Sequence, residues 1–193
     1  MNAVHPIEAE SYRIVAARAD LSGFGPLGAA VVARVIHASA DVDYARTMVV
    51  DEAAAAAGVS ALQAGASVVT DVEMVRHGIT GVASRCYLAE AVAGRGVTRT
   101  AAAMRLAARR HGSGVVVVVG CAPTALAEVV RLHAEEGFRP ALVVGLPVGF
   151  VGAAEAKAQL RSTGLPSISN VGDKGGSAVA AAAINALWRD AHG

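Results

Sequence analysis

The sequence predicts a three-layer α/β/α domain: a mainly parallel central sheet of about five strands between helical layers, preceded by a helical N-terminal third. Three observations carry this reading. From residue 66 onward short apolar runs alternate with helical stretches, the grammar of strand–helix–strand units. Those runs are continuously apolar, as strands buried on both faces are. The first third instead carries apolar residues at helical spacing. A length of 193 residues suits a single domain, 1–193, with a substantial core. No internal repeat, low-complexity linker or boundary divides it.

The elements follow in order. "PIEAESYRIVAARAD" begins with Pro6, suited to a first helical position, and places Ile7, Ser11, Ile14, Val15 and Arg18 near one stripe. "PLGAAVVARVIHASAD" forms a second helix whose apolar face is Val31, Val32, Val35 and Ile36. "DEAAAAAGVSALQAG" is a third, with Gly65 as a helix stop. The strands are "SVVTD", "RCYLA", "VVVVV", "ALVV" and "SISN". Between and after them lie the helical segments "DVEMVRH", "TRTAAAMRLAARRH", "PTALAEVVRLHAEE", "VGAAEAKAQLR" and "GGSAVAAAAINALW". "AVAGRGVTRT" reads as a mobile loop.

Composition narrows the function classes. Hydrophobic residues make up 54% and charged residues 17%, with alanine and valine dominant, so small-residue helix faces are expected between subunits of an oligomer. A net charge of +1, no basic block and few aromatics exclude a nucleic-acid footprint. Of 17 basic residues only Lys157 and Lys174 are lysines; arginine has the planar fork that suits carboxylates and phosphates, although high-GC codon usage gives the same bias. Cys86 and Cys121 lie in or beside apolar segments, so buried free thiols in a reducing compartment are expected rather than a disulfide. The opening "MNAVHPIEAESYR" has acidic residues where a secretory signal needs basic and then apolar ones, and no uninterrupted apolar run reaches bilayer length. The expectation is a cytoplasmic protein with no membrane contact.

In open parallel sheets ligands bind beyond the carboxyl ends of the strands. Three strand-to-helix junctions stand out there: "VVVVVGCAPTAL" with Ala122, Pro123 and Thr124; "VVGLPVGFVGAAEA" with Val148, Gly149, Phe150, Val151 and Gly152; and "NVGDKGGSAVAAAA" with Lys174, Gly175, Gly176 and Ser177. Each joins Gly, Pro or Thr loop chemistry to a helix start, where backbone N–H groups attract anions. Taken singly, each is equally an ordinary turn; together they suit a ligand with several separated negative charges. None matches G-x-G-x-x-G or the P-loop pattern, so no nucleotide is specifically indicated. His37, near the end of the second helix, is by itself ordinarily a packed or surface residue, with proton transfer the alternative. Glu73 and His77 share a helix face near Asp71, but no third ligand follows at a diagnostic spacing; an N-cap Asp71 and an i,i+4 pair explain them, and no metal site is expected. Cys121, at a helix start, suits a nucleophile or, more simply, packing.

The segments "IEAESYRIVAARADL", "RVIHASADVDYA", "AGASVVTDVEMVRHGIT", "TRTAAA", "GCAPTAL", "GLPVGFVGAAEAK" and "KGGSAVAAAAINAL" run nearly end to end. Through them the chain resembles the precorrin-8X methylmutase family of cobalamin biosynthesis, which includes the cobalt-precorrin-8 methylmutases. The resemblance implies a three-layer α/β fold, a homodimer and an isomerase that moves a methyl group from C-11 to C-12 of a tetrapyrrole. The product is hydrogenobyrinate, or cobyrinate when cobalt is present. No cofactor is implied, since any cobalt belongs to the substrate. The family's catalytic histidine falls on His37 through the "IHA" element, as a general acid that protonates the macrocycle and takes the proton back. Imidazole, with an ordinary pKa of about 6.5, suits both steps. Ser11, with Arg13 beside it, and Thr98, Arg99 and Thr100 fall on substrate-contacting positions, Arg99 as a carboxylate clamp. "VGFVG" is then a cradle for a side-chain carboxylate of the macrocycle.

The sequence departs from the family where Cys121 replaces the asparagine of a common Gly-Asn-Ala-Pro-Thr-Ala, where Asp173 replaces an arginine, and in a short segment between Tyr87 and Val97. "VIHASADVDYA" and "SNVGDKGGS" are closer to the cobalt-pathway members. Two other classes stay open at this point. One is a non-catalytic corrinoid carrier, against which His37 counts. The other is a nucleotide-binding α/β domain, against which the missing phosphate fingerprint counts.

Overall fold

The computed structural model describes residues 5–192. The first four residues of the opening stretch and Gly193 lie outside it. The helical first third comprises α1 (Pro6–Arg18), α2 (Pro26–Ser39) and the single turn α3 (Tyr44–Thr47), followed by a short strand β1 (Met48–Val50) and α4 (Glu52–Gln63). Then come β2 (Val68–Thr70), α5 (Glu73–Gly78), β3 (Ser84–Cys86), α6 (Arg99–His111), β4 (Val116–Val119), α7 (Pro123–Glu136), β5 (Leu142–Gly145), α8 (Ala153–Ser162), β6 (Ser167–Asn170) and α9 (Ser177–His192).

Helix boundaries follow local chemistry. Proline opens α1, α2 and α7, where its missing N–H costs nothing. Asp51 caps α4 by accepting from Ala54 N at 2.9 Å, and Thr98 caps α6 by accepting from Ala101 N at 3.2 Å. Gly65, at φ 77°, ends α4 as expected.

The sheet has the order β1-β6-β5-β4-β2-β3. Five strands run parallel; β1 pairs antiparallel with β6 on one edge, Met48 opposite Asn170. That sixth strand was not expected: three residues between two helical stretches leave no readable period. Side chains alternate across the sheet. Val68, Val116, Val118, Leu142, Val144 and Ile168 face a layer of α2, α4, α5 and α9, while Val69, Val117, Val119 and Val143 face α6, α7 and α8. Each of these fully buried aliphatic side chains contributes about 1.5–3 kcal/mol. The outcome is the three-layer α/β/α arrangement.

Three expectations change. The apolar stripe of α1 is not a buried face: Ile7 is 74% and Ile14 39% exposed, and only Val15 is buried. The small-residue helix α9 is not turned toward a partner either. Val179 through Ile184 are buried against α2, α4 and α5, because alanine lets helices approach the centre of their own domain. Both cysteines are free, but Cys121 is exposed in the loop after β4 and Cys86 is only partly buried at the end of the edge strand β3. The 87–98 segment is held by paired backbone hydrogen bonds between Gly94 and Val97 at 3.1 and 3.2 Å. Among the described residues no helix is long and apolar enough to cross a membrane.

Candidate active site

The five parallel strands deliver their carboxyl ends to one edge of the sheet, and the loops leading into α6, α7, α8 and α9 meet there. The contacts are direct. The hydroxyl of Thr124, at the start of α7, lies 2.8 Å from Thr98 and 3.3 Å from Thr100 at the start of α6. A Cβ on Gly152 would stand 3.6 Å from Pro123, and one on Gly120 would press on Val75, Ala180 and Ser177. The three junctions read from the sequence are therefore one contiguous surface carrying four helix N-termini, a suitable receptor for a polyanion.

Asp71 holds one part of it together. Rather than capping α5, whose cap position is Val72, the carboxylate is buried beyond the end of β2. It accepts N–H groups from Gly120 at 3.1 Å, Cys121 at 2.9 Å and Ala122 at 2.8 Å. Burial pushes this carboxyl above its ordinary range, against the three N–H donors that favour the charged form. The turn ahead of α7 is thus shaped by a side chain that donates no bond of its own.

The loops after β5 and β6 are locked to each other. Gly176 N donates to Leu146 O at 2.9 Å and Gly149 N to Asp173 O at 3.1 Å. Gly175 lies so close to the carbonyls of Leu146 and Pro147 that there is no space for a Cβ. Gly149 and Gly152 adopt φ of 144° and 80°, the region glycine favours. At the tip Phe150 and Val151 are 94% and 88% exposed. Beneath the loops the wholly buried Lys157 of α8 donates to Asn170 Oδ1 at 2.9 Å and to the Lys174 carbonyl at 2.6 Å. The Lys174 ammonium reaches outward to Asp41 at 2.7 Å and Asp43 at 3.1 Å, tying this loop to the one that follows α2.

His37 lies one turn before Asp41. Its Nδ1 is 2.7 Å from Ser11 Oγ of α1, and its ring stacks on Tyr12 with centroids 5.2 Å apart. Two arginines in turn hold the Tyr12 hydroxyl, Arg34 at 3.2 Å and Arg189 at 3.3 Å, and both also bond Glu8. Ser11 thus meets the histidine directly. The other predicted positions divide. Arg99 is exposed at the start of α6 with no ion pair among the described residues, while Arg13 is turned to Glu10 at 2.6 Å. Tyr12, Asp71 and Lys157 were missed by sequence reasoning. The one available signal was that Lys157 is among only two lysines.

His77 Nδ1 lies 3.7 Å from Glu73, whose nearer partner is Arg76 at 2.5 Å. Among the described residues no three His, Cys, Asp or Glu side chains gather as metal ligands would. A groove of about 580 Å³ between α1, α2 and α9 is lined by Tyr12, Ala33, Arg34 and Arg189, and no residue of the loop cluster lines it.

A mainly parallel sheet with helix-starting loops at its carboxyl edge, a histidine one turn before the aspartate that Lys174 holds and no nucleotide fingerprint describe an α/β domain suited to an anionic ligand. Comparison with known proteins specifies it. The family model described as precorrin-8X methylmutase matches residues 6–190, and the chain belongs to this family of isomerases of corrin biosynthesis. It is 43% identical over 173 residues to the cobalt-precorrin-8 methylmutase of Methanothermobacter thermautotrophicus, covering 87% of this chain and 83% of that one. It is 41% identical to the precorrin-8X methylmutase of Pseudomonas aeruginosa, covering 92% and 91%. A crystal structure of precorrin-8X methyl mutase from Thermus thermophilus superimposes with a TM-score of 0.86 at 39% identity, covering 96% and 95%.

Proposed function

We propose that this chain converts precorrin-8X or cobalt-precorrin-8 to hydrogenobyrinate or cobyrinate by moving a methyl group from C-11 to C-12, with His37 as general acid. The observation that carries the role of His37 is its 2.7 Å contact with Ser11. With the serine hydroxyl accepting, Nδ1 keeps its proton and Nε2 is the atom that gives and regains one. The stacked Tyr12 ring fixes the plane of the imidazole. Protonation of the conjugated macrocycle makes C-11 electron-poor and eases the methyl shift; the product then returns the proton. Atoms and electrons balance within the substrate, so the reaction needs no redox cofactor, and cobalt, where present, arrives with the substrate.

The acetate and propionate groups of the ring are matched by the loop cluster: Thr98, Arg99, Thr100 and Thr124 on one side, the 146–152 and 171–177 loops on the other. Arg99 suits a carboxylate clamp because it is exposed and unpaired among the described residues. Lys174 reaches a ligand only by sharing its charge with Asp41 and Asp43. We further read the enzyme as a cytoplasmic homodimer. The bare apolar tip of Phe150 and Val151 supports a covering partner; light scattering that finds a stable monomer would refute the dimer.

The test is the visible spectrum of precorrin-8X, with and without cobalt, during incubation with wild type and His37→Ala. Conversion by wild type and binding without conversion by the variant are expected. Full-rate conversion by the variant removes the general-acid role. Binding by both proteins without conversion by either turns the chain into a corrinoid carrier.

A further inference from the structure

Lys157 has no surface exposure, and among the described residues no carboxylate lies within ion-pair distance of its ammonium. Its hydrogen-bond partners are neutral: Asn170 Oδ1 at the end of β6 and the carbonyl of Lys174. Asn170 Nδ2 donates to that same carbonyl at 2.9 Å, so two side chains grip one backbone oxygen and fold residues 171–176 back over the end of the sheet. The grip lies directly before Gly175 and Gly176, where the loop meets the carbonyls of Leu146 and Pro147. An isolated buried charge is costly, and an apolar side chain of similar length would fill the space without that cost.

We propose that Lys157 is a positioning residue of the site: its ammonium fixes the 171–176 loop against the 146–152 loop, and its charge is balanced by a ligand carboxylate received at that loop pair. This rests on the corrinoid-acid reading given above. The protein alone offers little compensation. Burial pushes the ammonium down to about 8, Arg161 on the same helix adds to the effect, and only Asp173 in the loop opposes it. On β6 the neighbouring polar groups, Ser169 and Asn170, are uncharged. The ammonium of Lys174 is held by Asp41 and Asp43, and the acids of α7, Glu128, Glu135 and Glu136, are paired with arginines.

The linkage has a definite sign. Below about pH 8 Lys157 is charged before and after binding, and its contribution to affinity does not change with pH. Above it the free protein has lost the proton that an adjoining carboxylate requires, so binding takes one up and affinity falls as pH rises.

The experiment is a titration of wild type and Lys157→Met with hydrogenobyrinate, followed by absorbance from neutral pH to beyond 8. The methionine variant is expected to keep its far-UV dichroism and to bind about tenfold more weakly at neutral pH. Its affinity is expected to be flat where that of wild type falls, and KM to rise with kcat nearly unchanged. Equal affinity with the same pH profile would overturn the inference. Calorimetry of wild type alone, in two buffers of different ionisation enthalpy just above pH 8, reads the coupling even if the variant fails to fold: proton uptake supports it and none overturns it. Wild type that binds no corrinoid acid at any pH refutes the functional reading and this inference together, whereas wild-type binding with an indifferent variant refutes this inference alone.

Discussion

Replacing Gly175 by alanine tests whether the two locked loops are a fixed part of the domain. The added Cβ meets the carbonyl oxygens of Leu146 and Pro147 and stands 2.8 Å from Pro147 C, all inside the 3.0 Å that Cβ contacts essentially never breach. Backbone, unlike a side-chain tip, cannot swing aside. Overpacking of this kind costs about 1–3 kcal/mol. Parting the loops also breaks the Gly176–Leu146 or Gly149–Asp173 hydrogen bond, each about 1 kcal/mol. Lower chain entropy in the unfolded state returns roughly 0.5 kcal/mol. The net loss is about 1.5–3.5 kcal/mol, which for a domain of this size lowers the melting temperature by about 3–14 °C. Thermal unfolding followed by circular dichroism measures it, with Gly23→Ala as a control because a Cβ there meets nothing within 4 Å. A Gly175→Ala protein that melts within about 2 °C of wild type would show that the loops yield, and the account of their locking would be wrong.

Two more substitutions probe buried carboxylates. Asp71→Asn swaps an acceptor facing the N–H groups of Cys121 and Ala122 for a donor or leaves Gly120 unserved, so it is expected to cost about 2 kcal/mol and to expose Cys121 to thiol reagents faster; an unchanged labelling rate and melting temperature would contradict its organising role. Glu128, whose carboxyl burial pushes up but Arg105 and Arg131 bring below its ordinary value on balance, contributes stability that is present above about pH 4.3 and lost as pH falls through its lower folded value. Glu128→Gln is therefore expected to melt lower than wild type at pH 7 and to converge on it in acid; a deficit independent of pH would exclude the ion pairs as its cause.

Legibility of the sequence tracked the range of the interactions. The central strands β2, β4 and β5 were readable because each is a local run of buried, mainly apolar residues, and the helix starts because proline, aspartate and threonine act within three or four positions. β3, Ser84-Arg85-Cys86 with Arg85 exposed, overlaps only the first two residues of the run "RCYLA" expected as a strand. β1 was not readable, since three residues carry no period and its pairing with β6 comes from residues more than 100 positions away. The stripe of α1 misled because helical spacing tells which residues share a face and not whether another element covers it. In the site, the glycine-rich junctions showed in the sequence as helix starts. Their organisers did not: Asp71 acts on residues 49 to 51 positions ahead, and Lys157 looks like a surface lysine in an alanine-rich helix until the fold buries it. The pairing of Ser11 with His37 joins two helices whose packing no local pattern specifies.

The clasp between Lys174 and the two aspartates at 41 and 43 has a bearing on the order of assembly. It closes over more than 130 residues of chain and ties the loop after the histidine-bearing helix to the loop that precedes α9. During synthesis the N-terminal helices emerge first, and β1 beside them has no partner strand until β6 has been made. Closing so long a loop is entropically slow, and contacts of this range belong to the late stage of folding. The loop that follows the His37 helix and the loop ahead of α9 are thus joined only when nearly the whole domain is in place, so a partly folded chain does not present the two together.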